Sequence, residues 1–304
     1  MQDVEERSAT RIGDTLPTWV PWTVLIIGTV AASASAILIK YATEADALAI
    51  SFWRCAVGAA VLAPFARARM RGVRLAHVRP ALIAGVFLAI HFATWITSIE
   101  MTSVAIAVLL VSTAPIFVAI AARFVTGERV RSMGWIGIAL ALGGTVVIGG
   151  TDLGDSSITG SVLALIGGAT GGWYFLAGQV ARRHLGIVEH AVIAYTAAAV
   201  LLLPFCIANG AELWGYTAKT WWAIAGLIVG PQLLGHTFIN YVLSDIDATT
   251  VSVTIMAEPV IAMALAYFLF DEVPSWIVYP ATVLILGGIY LVSTARREAT
   301  PVLE

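Results

Sequence analysis

The sequence predicts an all-α polytopic membrane protein with ten transmembrane helices in two inverted five-helix repeats around a central cavity. Three observations carry this. Of the 304 residues, 59% are hydrophobic and only 12% charged, about half the charge of an ordinary soluble domain, and mean hydropathy is +0.89. The apolar residues gather into ten runs, each close to the ~20 residues that a bilayer-spanning helix needs. The two halves of the chain also repeat one another at a nearly constant spacing.

The runs fall at 22–40, 47–65, 80–98, 102–122, 133–149, 160–181, 190–208, 221–243, 248–270 and 276–293, numbered here spans 1 to 10. They are continuously apolar instead of alternating with period two, so helices are expected and not barrel strands. Residues 1–20 read as a polar tail without the basic flank and cleavage site of a signal peptide. Residues 21–150 read as the first repeat, 151–295 as the second, and 296–304 as a C-terminal tail. Cys55 and Cys206 lie in apolar runs and are expected to be packing thiols. This composition excludes a soluble enzyme, a disulfide scaffold and a disordered chain, and a formal charge of −2 leaves no basic footprint for nucleic acid.

Ten spans put both termini on one face. If that face is cytoplasmic, it holds Arg7, Arg11, Arg67, Arg69, Arg71, Arg74, Arg79, Arg123, Arg129, Arg131, Arg182, Arg183, Arg296 and Arg297, which is 14 of the 17 basic residues. The opposite loops are acidic: Glu44, Asp46, Glu100, Asp152, Asp155, Glu212, Asp271 and Glu272. Basic loops stay inside, so a multi-pass protein of the cell's inner (plasma) membrane with cytoplasmic termini is predicted.

The repeat is specific. Pro115 and Pro259, Glu128 and Glu272, and the pairs Gly143-Gly144 and Gly287-Gly288 are each 144 residues apart. Gly85 and His91 match Gly230 and His236 at 145, and the run from Val61 to Phe65 echoes that from Leu201 to Phe205 at 140. Five spans is an odd number, so the second repeat enters the membrane inverted. The loop after span 4 is basic and that after span 9 acidic, as inversion requires. Inverted repeats of this kind place a substrate site near the midplane, between the halves.

Ten spans in two halves, a proline in the fourth helix of each half (Pro115, Pro259), a following glutamate (Glu128, Glu272) and a closing Gly-Gly pair together resemble the drug/metabolite transporter superfamily of the EamA type. His91-Phe92-Ala93-Thr94-Trp95 and Gly171-Gly172-Trp173-Tyr174 make the chain most similar, within it, to the aromatic amino acid exporters of the YddG type. The resemblance implies a secondary transporter exporting aromatic and other neutral amino acids by alternating access. Such a transporter is expected to need no cofactor, to have a small-molecule substrate and the bilayer as its partners, and to work as a monomer.

Particular residues can be assigned to that task. Proline removes a backbone donor and bends a helix, so Pro115 and Pro259 are candidate hinges or static kinks. Polar side chains inside spans are costly and face a cavity or a neighbouring helix. Gln232, His236 and Asn240 fall on one α-helical stripe of span 8, and His91, Trp95 and Ser98 on one of span 3. The matched histidines are expected to face a common centre. Trp173 and Tyr174, beside Gly171-Gly172, are candidates for stacking an aromatic substrate. Arg54, about 10 Å into span 2, either pairs with Glu258 or attracts a substrate carboxylate. Glu258, on a stripe with Thr250 and Thr254, is a candidate for an ammonium group or a proton. Lys40 either serves the pathway or extends to the interface. No catalytic or metal-ligating set and no phosphate-binding loop is present in the sequence. The alternatives are a carrier of sugar phosphates or nucleotide-linked sugars, which would want several cavity cations, and an integral-membrane enzyme or receptor.

Overall fold

The computed structural model describes residues 17, 19–71, 73–149, 157–270, 275–295 and 298–299. Asp152, Asp155, Asp271, Glu272, Arg296, Arg297 and, in the N-terminal tail, Arg7 and Arg11 lie outside the described residues. Among the described residues, nine helical segments are long and apolar enough to cross a membrane: Trp19–Tyr41, Ala47–Ala66, Leu75–Met101, Val104–Val125, Ser132–Gly149, Ile158–Arg182, Ile187–Ala208, Ala218–Val242 and Ala248–Leu265. The tenth, Val278–Thr294, is apolar and shorter. Span 3 starts five residues before its predicted boundary, because the helix runs on through His77 and Arg79 where the apolar run has ended.

The spans pack as two interlocked repeats. Span 5 lies against span 10, span 2 against span 7, and span 4 against span 9; span 3 packs on span 6 as span 8 packs on span 1. Exchanging the halves maps this list onto itself, and spans n and n+5 run in opposite directions. Among apolar lipids helices associate through close packing of small residues, and the Gly-Gly pairs supply it. A Cβ at Gly144 would stand 2.6 Å from the Ala281 carbonyl oxygen, and one at Gly288 would stand 2.7 Å from the Ala141 nitrogen. Gly143 and Gly287 face open space. In each pair, then, the second glycine joins span 5 to span 10.

Four spans are not continuous helices. Span 1 is interrupted at Ala34 between Trp19–Ser33 and Ser35–Tyr41. Span 8 contains a π-helical segment, Ile228–His236, between Ala218–Leu227 and Thr237–Val242. Span 4 breaks into Val104–Val111 and Ala114–Val125, and span 9 into Ala248–Ile255 and Glu258–Phe270. These last two breaks, at Ser112-Thr113 and Met256-Ala257, are again 144 residues apart. So are the N-caps: the Ser103 hydroxyl accepts from Ile106 N and the Asp247 carboxylate from Thr250 N. The prolines are therefore not kinks within a continuous helix. Each is the second residue of a new half-helix, where its missing N–H is no loss. At both breaks the chain tightens, with Thr113 N donating to Leu110 O and Ala257 N to Thr254 O.

Side-chain ties hold the ends. On the arginine-rich face Gln179 of span 6 donates to Glu128 Oε1 (2.9 Å) and accepts from Ala248 N (2.9 Å) at the start of span 9. Glu128-Arg129 also pairs antiparallel with Glu298-Ala299. On the opposite face Glu44 accepts from Thr217 N (2.7 Å) and Oγ1 (3.0 Å), and that backbone bond holds its carboxyl below the ordinary carboxylate range. This tie is present at neutral pH and lost as pH falls through the lowered value. The glycine pairs give the first test. Gly144→Val and Gly288→Val should each lower stability by about 1–3 kcal/mol through overpacking, while Gly143→Ala and Gly287→Ala leave it unchanged, as read by thermal unfolding in detergent.

Candidate functional site

A cavity lies where the interrupted spans meet. It is lined by spans 1, 3, 4, 6, 8 and 9, three pairs exchanged by the repeat. His91 and Trp95 come from span 3, Phe175 from span 6, His236 from span 8, Ser112 and Pro115 from the break in span 4, and Met256 and Glu258 from the break in span 9. It offers about 90 Å³ for water centres, room for several molecules at about 10–15 Å³ each. A broken helix at membrane depth is tolerated only where protein or cavity water satisfies its backbone, so breaks and cavity require one another.

The glycines of span 6 let span 3 come close. A Cβ at Gly167 would meet Trp95 Cβ at 3.0 Å, and one at Gly171 would meet His91 Nδ1 at 2.8 Å. His91 Nδ1 bonds the Gly167 carbonyl oxygen at 2.7 Å, an interaction that makes Nδ1 the protonated donor and leaves Nε2 as the other ring nitrogen. The imidazole then stacks on Trp95 at 5.9 Å and 6°, and its ring lies 6.4 Å from that of His236. The two matched histidines thus meet across the cavity. His236 also packs perpendicular to Phe92 (5.1 Å, 86°) and tilts toward Tyr174 (5.8 Å).

Glu258 is the first residue of the second half of span 9, so its carboxylate stands at the positive end of a half-helix dipole. Its pseudo-symmetric counterpart, 144 residues earlier, is Ala114, which also lines the cavity. The centre is therefore acidic on one side only. Thr250 and Thr254 do not share its surroundings. The break at Met256-Ala257 ends the stripe, and their hydroxyls bond Asp247 and the Thr250 carbonyl oxygen.

Several expected site residues lie elsewhere. Trp173 is 37% exposed and stacks on Phe87 at 5.6 Å, on the outer surface of the bundle, because Gly171 and Gly172 on either side of the helix take the inward contacts. Within span 8 the i→i+5 pattern of the π segment turns less per residue than an α-helix, so a four-residue spacing no longer keeps one face. Only His236 of the three stripe residues lines the cavity. Asn240 is consumed by structure: its Nδ2 donates to Tyr174 Oη (2.7 Å) and His236 O (2.8 Å), and its Oδ1 meets His190 Nε2 (3.1 Å). Tyr174 belongs to that buried network. Gln232 packs toward Gly58 of span 2. Lys40 is exposed at the end of span 1, near the Ile99 carbonyl oxygen (3.5 Å), and borders a separate hollow with Tyr41 and Val104. Arg54 is fully buried against the Phe92 ring, 4.1 Å from its centroid, and hydrogen-bonds no described residue. The expected structural pair with Glu258 is not formed. Sequence reasoning missed Ser112, Phe175 and Ser252 at the cavity and Gln179 in the tie between Glu128 and Ala248. Gln179 carried a signal, a lone amide in an apolar run; the hydroxyls carried none.

The comparisons with known proteins agree with this architecture. The sequence profile of the EamA-like transporter family matches residues 20–150 and again 158–294. The chain belongs to this family. It is 24% identical over 245 residues to "Uncharacterized transporter YdfC" of Bacillus subtilis, covering 79% of each chain. To "Uncharacterized inner membrane transporter YedA" of Escherichia coli K12 it is 25% identical, over 75% of this chain and 76% of the other. A "Probable terminal-alkyne amino-acid exporter" of Streptantibioticus cattleyicolor is 26% identical over 200 residues, 63% of this chain and 66% of the other. A crystal structure 21% identical superposes with a TM-score of 0.75, covering 90% of this chain and 96% of that one, a likeness of fold. As an EamA-like transporter the protein moves a solute and is not an enzyme. The packing predicts that Asn240→Ala costs about 1–3 kcal/mol by leaving buried partners unpaired, seen as a lower melting temperature. Trp173→Ala should leave the affinity for any transported aromatic solute unchanged.

Proposed function

We propose that this EamA-like transporter exports aromatic and other neutral amino acids across the inner (plasma) membrane by alternating access, as a monomer with both termini in the cytoplasm. The observation that carries the reading is the cavity's mixture of one carboxylate, Glu258, with the aromatic wall of His91, Trp95 and Phe175. A carboxylate suits an ammonium group, and the stacked His91-Trp95 pair suits an apolar or aromatic side chain. Among the described residues no lysine or arginine lines the cavity, which disfavours sugar phosphates and nucleotide-linked sugars. The amino-acid exporter among the relatives supports the same substrate class. The arginine distribution supports the orientation.

Pro115 and Pro259 fit the hinge role through the breaks beside them. Each break leaves two half-helices joined by about one turn, and tilting one half opens the cavity at that end. Spans 4 and 9 run in opposite directions, so the same motion at the two breaks opens opposite faces. The Glu128–Gln179–Ala248 tie is the contact that must part for the arginine-rich face to open.

Purified protein in proteoliposomes should take up labelled L-phenylalanine saturably, and a sugar phosphate not at all. Trp95→Ala should raise the half-saturating phenylalanine concentration about two- to tenfold, equivalent to the ~0.5–1.5 kcal/mol of an aromatic contact, with little change for threonine. Equal impermeability to all three solutes would refute the reading.

A further inference from the structure

We propose that Arg54 and Gln232 form an anion subsite behind Phe92, built to take a monoanionic carboxylate. Resting on the reading above, it receives the carboxylate of the transported amino acid. Arg54 is 0% exposed, and none of its three guanidinium nitrogens hydrogen-bonds a described residue. Its stacking on Phe92 is a weak compensation for burying a charge with no hydrogen-bonded counter-ion. Gln232 is likewise 0% exposed, with both amide atoms unpartnered among the described residues.

The two belong to one place. A Cβ at Gly58 would stand 3.1 Å from Gln232 Cγ and 3.4 Å from the Tyr195 ring. Gly58 lies one turn along span 2 from Arg54, on the same helix face. The Tyr195 hydroxyl is already engaged, with Thr237 Oγ1 at 3.0 Å, so the guanidinium and the amide are left as the available donors. A guanidinium fork matches a carboxylate in two parallel hydrogen bonds, and the amide N–H adds a third. One positive charge balances a monoanion.

Phe92 stands between Arg54 and the cavity residue His236. One side of its ring carries Arg54, and the ring packs perpendicular to that of His236, which lines the cavity. Rotation of Phe92 opens a path from the cavity to the two donors. A zwitterion then finds Glu258 for its ammonium group and Arg54 for its carboxylate, with Trp95 beside its side chain. This explains why Arg54 and Glu258 are both near the centre yet leave each other unbonded: the substrate, not the partner residue, completes each charge.

The test compares three probes on the full-length protein in nanodiscs: L-phenylalanine, 3-phenylpropionate, which lacks the ammonium, and phenethylamine, which lacks the carboxylate. Affinity ratios are read, so an inactive fraction does not matter. Arg54→Gln should weaken both carboxylates about tenfold or more, the size of a charge-assisted bond, and leave phenethylamine within twofold. Arg54→Lys should fall between, and Gln232→Leu should weaken the carboxylates alone by about threefold. If Arg54→Gln does not fold, the other two variants decide. Ratios equal to wild type, uniform weakening of all probes, or a wild type that binds no carboxylate would overturn the subsite and leave Arg54 a structural arginine. Arg54-dependent binding of 3-phenylpropionate without binding of L-phenylalanine would keep the subsite and sink the amino acid reading.

Discussion

A backbone inside a bilayer has no water to bond, and this constraint organises the molecule. Spans 4 and 9 each give up their helical ladder for about a turn at membrane depth. Such gaps survive only against protein or a wet cavity, and both open onto the same one. The prolines mark these positions as helix starts, because a residue without an N–H costs nothing in a first turn. The cavity exists because two half-helices stop there, and they can stop there because the cavity exists.

Around that centre the duplicated scaffold is symmetric in packing and asymmetric in chemistry. Gly144 and Gly288 knit spans 5 and 10 at equivalent positions, and His91 and His236 meet across the middle. Charge breaks the symmetry. Glu258 has Ala114 as its counterpart, and the π segment of span 8, with Pro231, has an unbroken helix in span 3 as its own. A substrate with two different ends, held between two like halves, requires such a difference.

The fold was legible in the sequence because its determinants are one-dimensional: run length, loop charge and a fixed offset between the halves. The prolines pointed to bends in spans 4 and 9, and the structure has breaks there instead, at the same spacing of 144. What could not be read was the facing of side chains. The stripe through Gln232, His236 and Asn240 assumed 3.6 residues per turn, and a π segment invalidates that. Trp173 resembled a site residue by its neighbours, yet glycines on both sides hand the interior to other helices and turn it outward. Arg54 and Glu258 could be assigned as partners only by charge, since distance between spans 2 and 9 is a property of the packed bundle.

Alternating access requires one cavity reached in turn from opposite faces of the membrane. Ser112→Cys and Ser252→Cys sample it from the two repeats, and the native Cys55 and Cys206 are both buried. Labelling each variant in oriented vesicles with an impermeant thiol reagent, added to one face at a time, decides the matter. Each cysteine should react from both faces and be protected by a transported amino acid. Reaction from one face only, unaltered by any solute, would contradict it.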